Sequence, residues 1–158
     1  MQIDVLTQPT PAFEALVETH TAFCDSTAPA ESCHRLPVLR LFTPEITVWV
    51  AQEGGALIGM GALKVLSPTE GEVKSMHTRA EVRGRGAARA ILRTILTAAR
   101  AKGLPRLSLE TGTHPAFAPA VALYRAEGFT ETGPFGGYVI DPHSMFLTLD
   151  LTTAKEPA

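Results

Sequence analysis

The sequence predicts a single-domain α/β fold with the element order β-α-α-β-β-β-α-β-α-β-β, its first half a meandering antiparallel sheet. Three observations predict it. Short stretches that alternate polar and apolar side chains, or that run apolar and β-branched, are separated by turns rich in Gly and Pro. One segment of the second half repeats its apolar residues at helical spacing over several turns. The 158 residues, 45% of them apolar and 19% charged, suffice to bury one core and are too apolar for a disordered chain.

Gln2 to Thr7 alternates and reads as the first strand. Pro11 to Phe23 carries Phe13, Leu16, Val17, His20 and Ala22 at roughly helical spacing. Pro29 and Pro37 interrupt Ala28 to Leu41 and leave room for a short helix between them. Ile46 to Ala51 and Ala56 to Leu66 are strand-like, and Glu53-Gly54-Gly55 makes them a hairpin. Pro68-Thr69-Glu70-Gly71 turns into a further strand, Glu72 to Thr78. Ala88, Ile91, Leu92, Ile95, Leu96 and Ala99 then mark an amphipathic helix with Arg89, Arg93, Thr97 and Arg100 on its other side. Gly103 stops it and Pro105 follows. Arg106 to Thr111 is a strand, and Ala116 to Glu127 a helix with Pro119 in its first turn and Gly128 at its end. Phe129 to Thr132 and Ser144 to Leu151 close the sheet. The domain is expected to span residues 1–151, with 152–158 a frayed tail.

The net charge of −2 favours neither nucleic acid nor a membrane surface. Charge is unevenly spread, however. Eight of the fourteen Lys and Arg lie between Arg79 and Arg106, where Glu81 is the sole acid. A local positive field in a mildly acidic chain points to an anionic ligand, although Arg93, Arg100 and Lys102 read more simply as a solvated helix face. Cys24 and Cys33 match neither a metal spacing nor a disulfide framework. Met1 to Asp4 shows no feature of a signal peptide, and no apolar run has membrane-spanning length, so a cytoplasmic protein is expected.

The stretch Arg83-Gly84-Arg85-Gly86-Ala87-Ala88 stands between a strand and the amphipathic helix. A helix N-terminus offers free backbone N–H groups and the positive end of its dipole, which suit a phosphate or pyrophosphate. Gly84 and Gly86 let the backbone turn and come close to a ligand; Arg83, Arg85 and Arg89 add charge. A dinucleotide-binding turn would need a third glycine where Arg89 stands and would follow the first strand. A P-loop would need Gly-Lys-Ser/Thr. An ordinary glycine-rich strand-to-helix turn remains the bland alternative.

Arg83-x-x-Gly86-x-Ala88 resembles the pyrophosphate-binding signature of the GNAT superfamily of N-acetyltransferases, Gln/Arg-x-x-Gly-x-Gly/Ala. The run Ala120-Val121-Ala122-Leu123-Tyr124-Arg125-Ala126-Glu127-Gly128-Phe129 is similar to the family's A-x-x-L-Y-x-x-x-G-F, and the two motifs occur in the family's order. A bacterial subgroup of small-molecule acetyltransferases is resembled more narrowly, through Gly61-Ala62-Leu63-Lys64, Glu72-Val73-Lys74-Ser75-Met76, Leu109-Glu110-Thr111-Gly112 and the ending from Gly133 to Phe146. One departure stands out. Many family members place an Asn near the start of the last helix, where this chain reads His114-Pro115-Ala116-Phe117-Ala118-Pro119.

The resemblance implies a GNAT fold, a mixed and mostly antiparallel twisted sheet of about seven strands flanked by about four helices. It implies direct transfer from acetyl-CoA to a bound small amine (an amino acid, a polyamine or a related metabolite) with no metal. Backbone groups of Met76, His77 and Thr78 would meet the pantetheine arm where two strands splay, Met76 polarising the thioester oxygen. Arg83 to Ala88 would hold the pyrophosphate, with Thr111 and Tyr124 also beside the cofactor. Tyr124 would return a proton to the leaving thiolate, although its helix position equally suits a core tyrosine. Glu72 is the candidate general base, with Glu110, His34 and His77 as rivals. Glu31 would bind a cationic amine and Ser32 and His34 a carboxylate; Glu72, Glu110 and Tyr138 would complete the acceptor pocket. Rival readings are a non-catalytic acyl-CoA sensor and acetylation of a protein amine. An edge strand near the C-terminus leaves monomer and homodimer both open.

Overall fold

The computed structural model describes residues 1–29 and 37–152. The short helix expected between Pro29 and Pro37 therefore lies outside the described residues, as do Glu31, Ser32, His34 and the tail beyond Thr152. Seven strands form one sheet in the order β1-β2-β3-β4-β5-β7-β6. They are β1 (Gln2–Leu6), β2 (Ile46–Glu53), β3 (Ala56–Ser67), β4 (Glu70–Thr78), β5 (Arg106–Gly112), β6 (Thr130–Thr132) and β7 (Ser144–Asp150). The described α-helices are α1 (Pro11–Thr27), α2 (Ala87–Ala101) and α3 (Ala118–Ala126). The expected helix at Ala116 begins instead as a 3₁₀ turn, Pro115–Phe117, capped when His114 Nδ1 accepts from the Ala116 amide at 3.0 Å.

β1 to β4 form the antiparallel meander that the turns predicted, and α2 carries the crossover that lets β5 pair with β4 in parallel. Strand alternation divides the core between the faces. Val48 and Val50 pack with Phe13 and Leu16 of α1, whereas Trp49 and Ala51 belong with Ile91, Leu92, Ile95 and Leu96 of α2. The buried stripe of α2 matches its predicted periodicity, except that Ala87 rather than Ala88 is the buried residue of its first turn. Gly61 of β3 allows this close packing: a Cβ there would stand 2.6 Å from Met76 Sδ and 2.7 Å from Ile91 Cγ2. Among the described residues no helix is long and apolar enough to cross a membrane.

Two irregularities in β4 shape everything that follows. Lys74 pairs with Ala62 and His77 with Met60, so β4 spends an extra residue against β3. That is a β-bulge, and Ser75 at φ 58° is the sole non-glycine residue with positive φ among the described residues. Pairing of β4 with β5 covers only Glu70–Val73 against Arg106–Leu109. Beyond Val73 the two strands part.

Candidate active site

The gap between β4 and β5 is a cleft of about 910 Å³, counting its open mouth, lined from β4 by Glu72, Lys74 and Met76 and from β5 by Glu110 and Thr111. Tyr124 of α3, Tyr138 of the β6–β7 loop and His20 and Cys24 of α1 complete its walls. A bulge re-aims the side chains and amides that follow it, so Ser75 decides how Met76 meets this space.

Glu72 and Lys74 lie two apart on a strand and so share a face. Glu72 is buried and Lys74 nearly so, their side chains 5% and 9% exposed, and Lys74 Nζ stands 3.2 Å from Glu72 Oε2. Tyr138 Oη donates to the same Oε2 at 2.6 Å, and Lys74 Nζ donates to Tyr138 Oη at 3.0 Å. The Tyr138 pKa is driven well above the usual phenol range, first by burial, then by the Glu72 charge and hydrogen bond, and then by Glu110. Across the cleft, Ser144 Oγ donates to Glu110 Oε2 at 2.6 Å. Glu72, Glu110 and Tyr138, singled out from the sequence, thus come together. Lys74 and His20 were not singled out. Lys74 shares the strand parity of Glu72, a signal that was legible; His20 joins only through tertiary folding.

His77 is buried, and its Nδ1 lies 3.1 Å from His20 Nδ1. Burial, then the charges of Arg83 and Arg79, lower its pKa to about 4, so it is neutral near pH 7. Cys24 Sγ lies 3.7 Å from His20 Nε2. Thr111 is buried at the end of β5, and Thr78 ends β4 opposite Gly59. Tyr124 is buried against Phe129, with ring centroids 5.9 Å apart, and burial raises its pKa well above the phenol range.

From β4 the chain passes through Ala80–Val82 to the loop before α2. Gly84 (φ 84°) and Gly86 (φ 83°) are left-handed, and a Cβ on either would meet nothing within 4 Å. Gly86 caps α2 without any side-chain acceptor, so the first-turn amides of the helix keep their donors. An anion fits such a cradle. The arginines differ from the expectation of a shared positive cluster. Arg83 lies over the Phe23 ring at 6.0 Å, Arg85 pairs with Glu53 at 2.6 Å, and Arg89 reaches back to Glu127 at 3.4 Å. Two of the three charges are therefore partly spent on partners.

Carboxylates and phenols line a gap between strands, and the chain that leaves β4 leads to an uncapped helix N-terminus. Comparison with known proteins agrees. The acetyltransferase (GNAT) family model matches residues 11–129. The chain is 45% identical to the uncharacterized N-acetyltransferase YedL of Escherichia coli (strain K12), over 92% of each chain. It is 41% identical to the IAA acetyltransferase of Azospirillum brasilense, over 84% of this chain and 86% of that one. A solved structure from Klebsiella pneumoniae, named as an acyl-CoA N-acyltransferase, superposes with a TM-score of 0.78 at 25% identity, over 95% of this chain and 97% of that chain. The strand-to-helix cradle, the parted strands and the shared sequence have one common explanation: this chain is an enzyme of the GNAT family of acetyltransferases.

Proposed function

We propose that the enzyme transfers the acetyl group of acetyl-CoA directly to the amine of a small molecule, both bound in one ternary complex. The observation that carries this reading is the parting of β4 from β5 at Val73, which sets unpaired backbone of β4 and the buried carboxylate of Glu72 on one cleft. The amides of Gly86, Ala87 and Ala88, with Gly84, Arg83 and Arg85 beside them, would hold the diphosphate of the cofactor. Met76, His77 and Thr78 would offer backbone groups to its pantetheine arm, with Thr111 on the facing strand. Acetyl-CoA, when bound, supplies an activated thioester.

Glu72 accepts the proton of the acceptor amine, directly or through one water, as the new C–N bond forms. The Met76 amide, aimed by the bulge, polarises the carbonyl oxygen. Tyr124 keeps its proton across the working pH range, because burial raises its pKa, and passes it to the sulfur as the C–S bond breaks. Glu110 and Tyr138 border the acceptor. The name of the A. brasilense relative supports a small-molecule acceptor over a protein one. The test is a panel of amino acids, polyamines and other amines with acetyl-CoA, read by thiol release, alongside calorimetric titration of acetyl-CoA. Binding accompanied by acceptor-dependent thiol release is expected; binding with no release from any amine would favour a sensor.

A further inference from the structure

We infer that the acceptor carries a carboxylate beside its amine, as an α-amino acid does, and that Lys74 holds that carboxylate. This rests on the acetyltransferase reading above and narrows its acceptor. Lys74 lies on the cleft wall with its side chain 9% exposed. An ammonium is costly to bury and normally brings a full set of acceptors with it. Here Glu72 Oε2 at 3.2 Å and Tyr138 Oη at 3.0 Å account for two of the N–H donors of a group that has three. No further acceptor meets it among the described residues, so a donor remains for a ligand in the cleft.

The surrounding charges sort the two ends of such an acceptor. Glu72 and Glu110 both line the cleft and attract an ammonium; Lys74 is the one Lys or Arg on that lining among the described residues. Because Glu72 and Lys74 share one face of β4 and touch, a molecule whose amine approaches Glu72 brings a neighbouring carboxylate to Lys74. A polyamine would instead place a second cation against Lys74. A structural lysine that only anchored Glu72 would have no use for a position on the cleft wall, since the Tyr138 hydroxyl already donates to the same carboxylate oxygen.

The experiment uses the full chain with acetyl-CoA and matched acceptor series, each comprising an α-amino acid, its carboxamide and the decarboxylated amine. The amino acid of at least one series is expected to exceed both partners in kcat/KM by roughly ten- to a hundredfold, the span of one charge-assisted hydrogen bond. Lys74→Met is expected to lower kcat/KM for that amino acid at least tenfold more than for its carboxamide, through KM, and Lys74→Arg to restore part of the preference. Equal losses on all acceptors would make Lys74 a positioning residue for Glu72 and overturn the inference. Should Lys74→Met not fold, the wild-type ratios decide: a preference for carboxamide or plain amine overturns it. Calorimetry separates the two levels of the argument. Acetyl-CoA binding with turnover of uncharged-end amines alone sinks the carboxylate and leaves the acetyltransferase standing, whereas no acetyl-CoA binding sinks both.

Discussion

Tyr138 Oη donates a 2.6 Å hydrogen bond to Glu72 Oε2 across 66 positions of sequence, so the loop between β6 and β7 is latched to the cleft floor. Gly136 and Gly137, both at positive φ, give that loop the turn that brings Tyr138 inward. Phe135 and Phe146 pack around the ring with centroids 5.2 and 5.8 Å away. Tyr138→Phe keeps this packing and removes only the donor. A hydrogen bond to a charged group contributes about 1.5–3 kcal/mol to stability, so the melting temperature should fall by several degrees, and kcat/KM should fall roughly tenfold as Glu72 loses its latch. Unaltered kinetics would show that Glu72 does not depend on the latch.

Tyr124→Phe removes the proposed proton donor from a buried site without opening a cavity. Turnover should fall by about ten- to a thousandfold, within the range of general acid–base catalysis. Acetyl-CoA affinity, read by calorimetry, should stay within about threefold, because the lost hydroxyl acts on the leaving sulfur. A variant that turns over like the wild type would assign Tyr124 to the core alone.

Gly86→Glu tests the anion cradle. Position 86 is left-handed at φ 83°, which costs a side chain about 1–2 kcal/mol of strain. The open space above it would then hold a carboxylate where the diphosphate is proposed to sit. Gly86→Ala carries the strain without the charge and serves as the control. The expected result is weakened acetyl-CoA binding in the alanine variant and none in the glutamate variant; full affinity in the latter would move the cofactor elsewhere.

His77 gives a pH dependence of stability. Its folded pKa of about 4 lies below the ordinary histidine value of 6.5, so the unfolded chain takes up the proton first as the pH falls. Stability from the neutral, buried ring is complete above pH 6.5, declines through the window from 6.5 to 4, and loses nothing more below it. Allowing for solvent screening, the loss is on the order of 1–2 kcal/mol. Urea titrations at pH 7 and pH 4.5 should show a drop that is smaller by this amount in His77→Gln. Equal drops would refute the assignment.

Gly61→Ala couples packing to the site. The new Cβ would press on Met76 Sδ and Ile91 Cγ2, which must shift at the seam of β3, α2 and the β4 bulge. Overpacking costs typically 1–3 kcal/mol, and thermal unfolding should register it. Displacement of Met76 should also reduce kcat. A destabilised variant with wild-type kcat would show the bulge to be insensitive to its packing.

How much of this was written in the chain follows from the range of the forces involved. Periodicity alone specified α2, since Ile91, Leu92, Ile95 and Leu96 bury one side of a helix wherever it docks. Turn residues specified the β2–β3 hairpin, because Gly54 and Gly55 adopt positive φ locally. Gly84 and Gly86 announced the anion cradle for the same reason: backbone freedom is a property of the residue itself. The motifs around Arg83 and Tyr124 added the family.

Other features depend on partners remote in sequence. That Arg89 turns to Glu127 rather than toward the loop was decided by α3 docking beside α2. The meeting of His20 with His77, and of Ser144 with Glu110, was decided by α1 and β7 packing against strands far along the chain. Lys74 read as one more polar residue of a strand until Glu72 and Tyr138 enclosed it. Sequence determined which segments would be helix, strand and glycine turn, because those preferences act within a few residues. Only tertiary structure decided which polar groups face one another, because burial and charge pairing act through space between residues the chain order keeps apart.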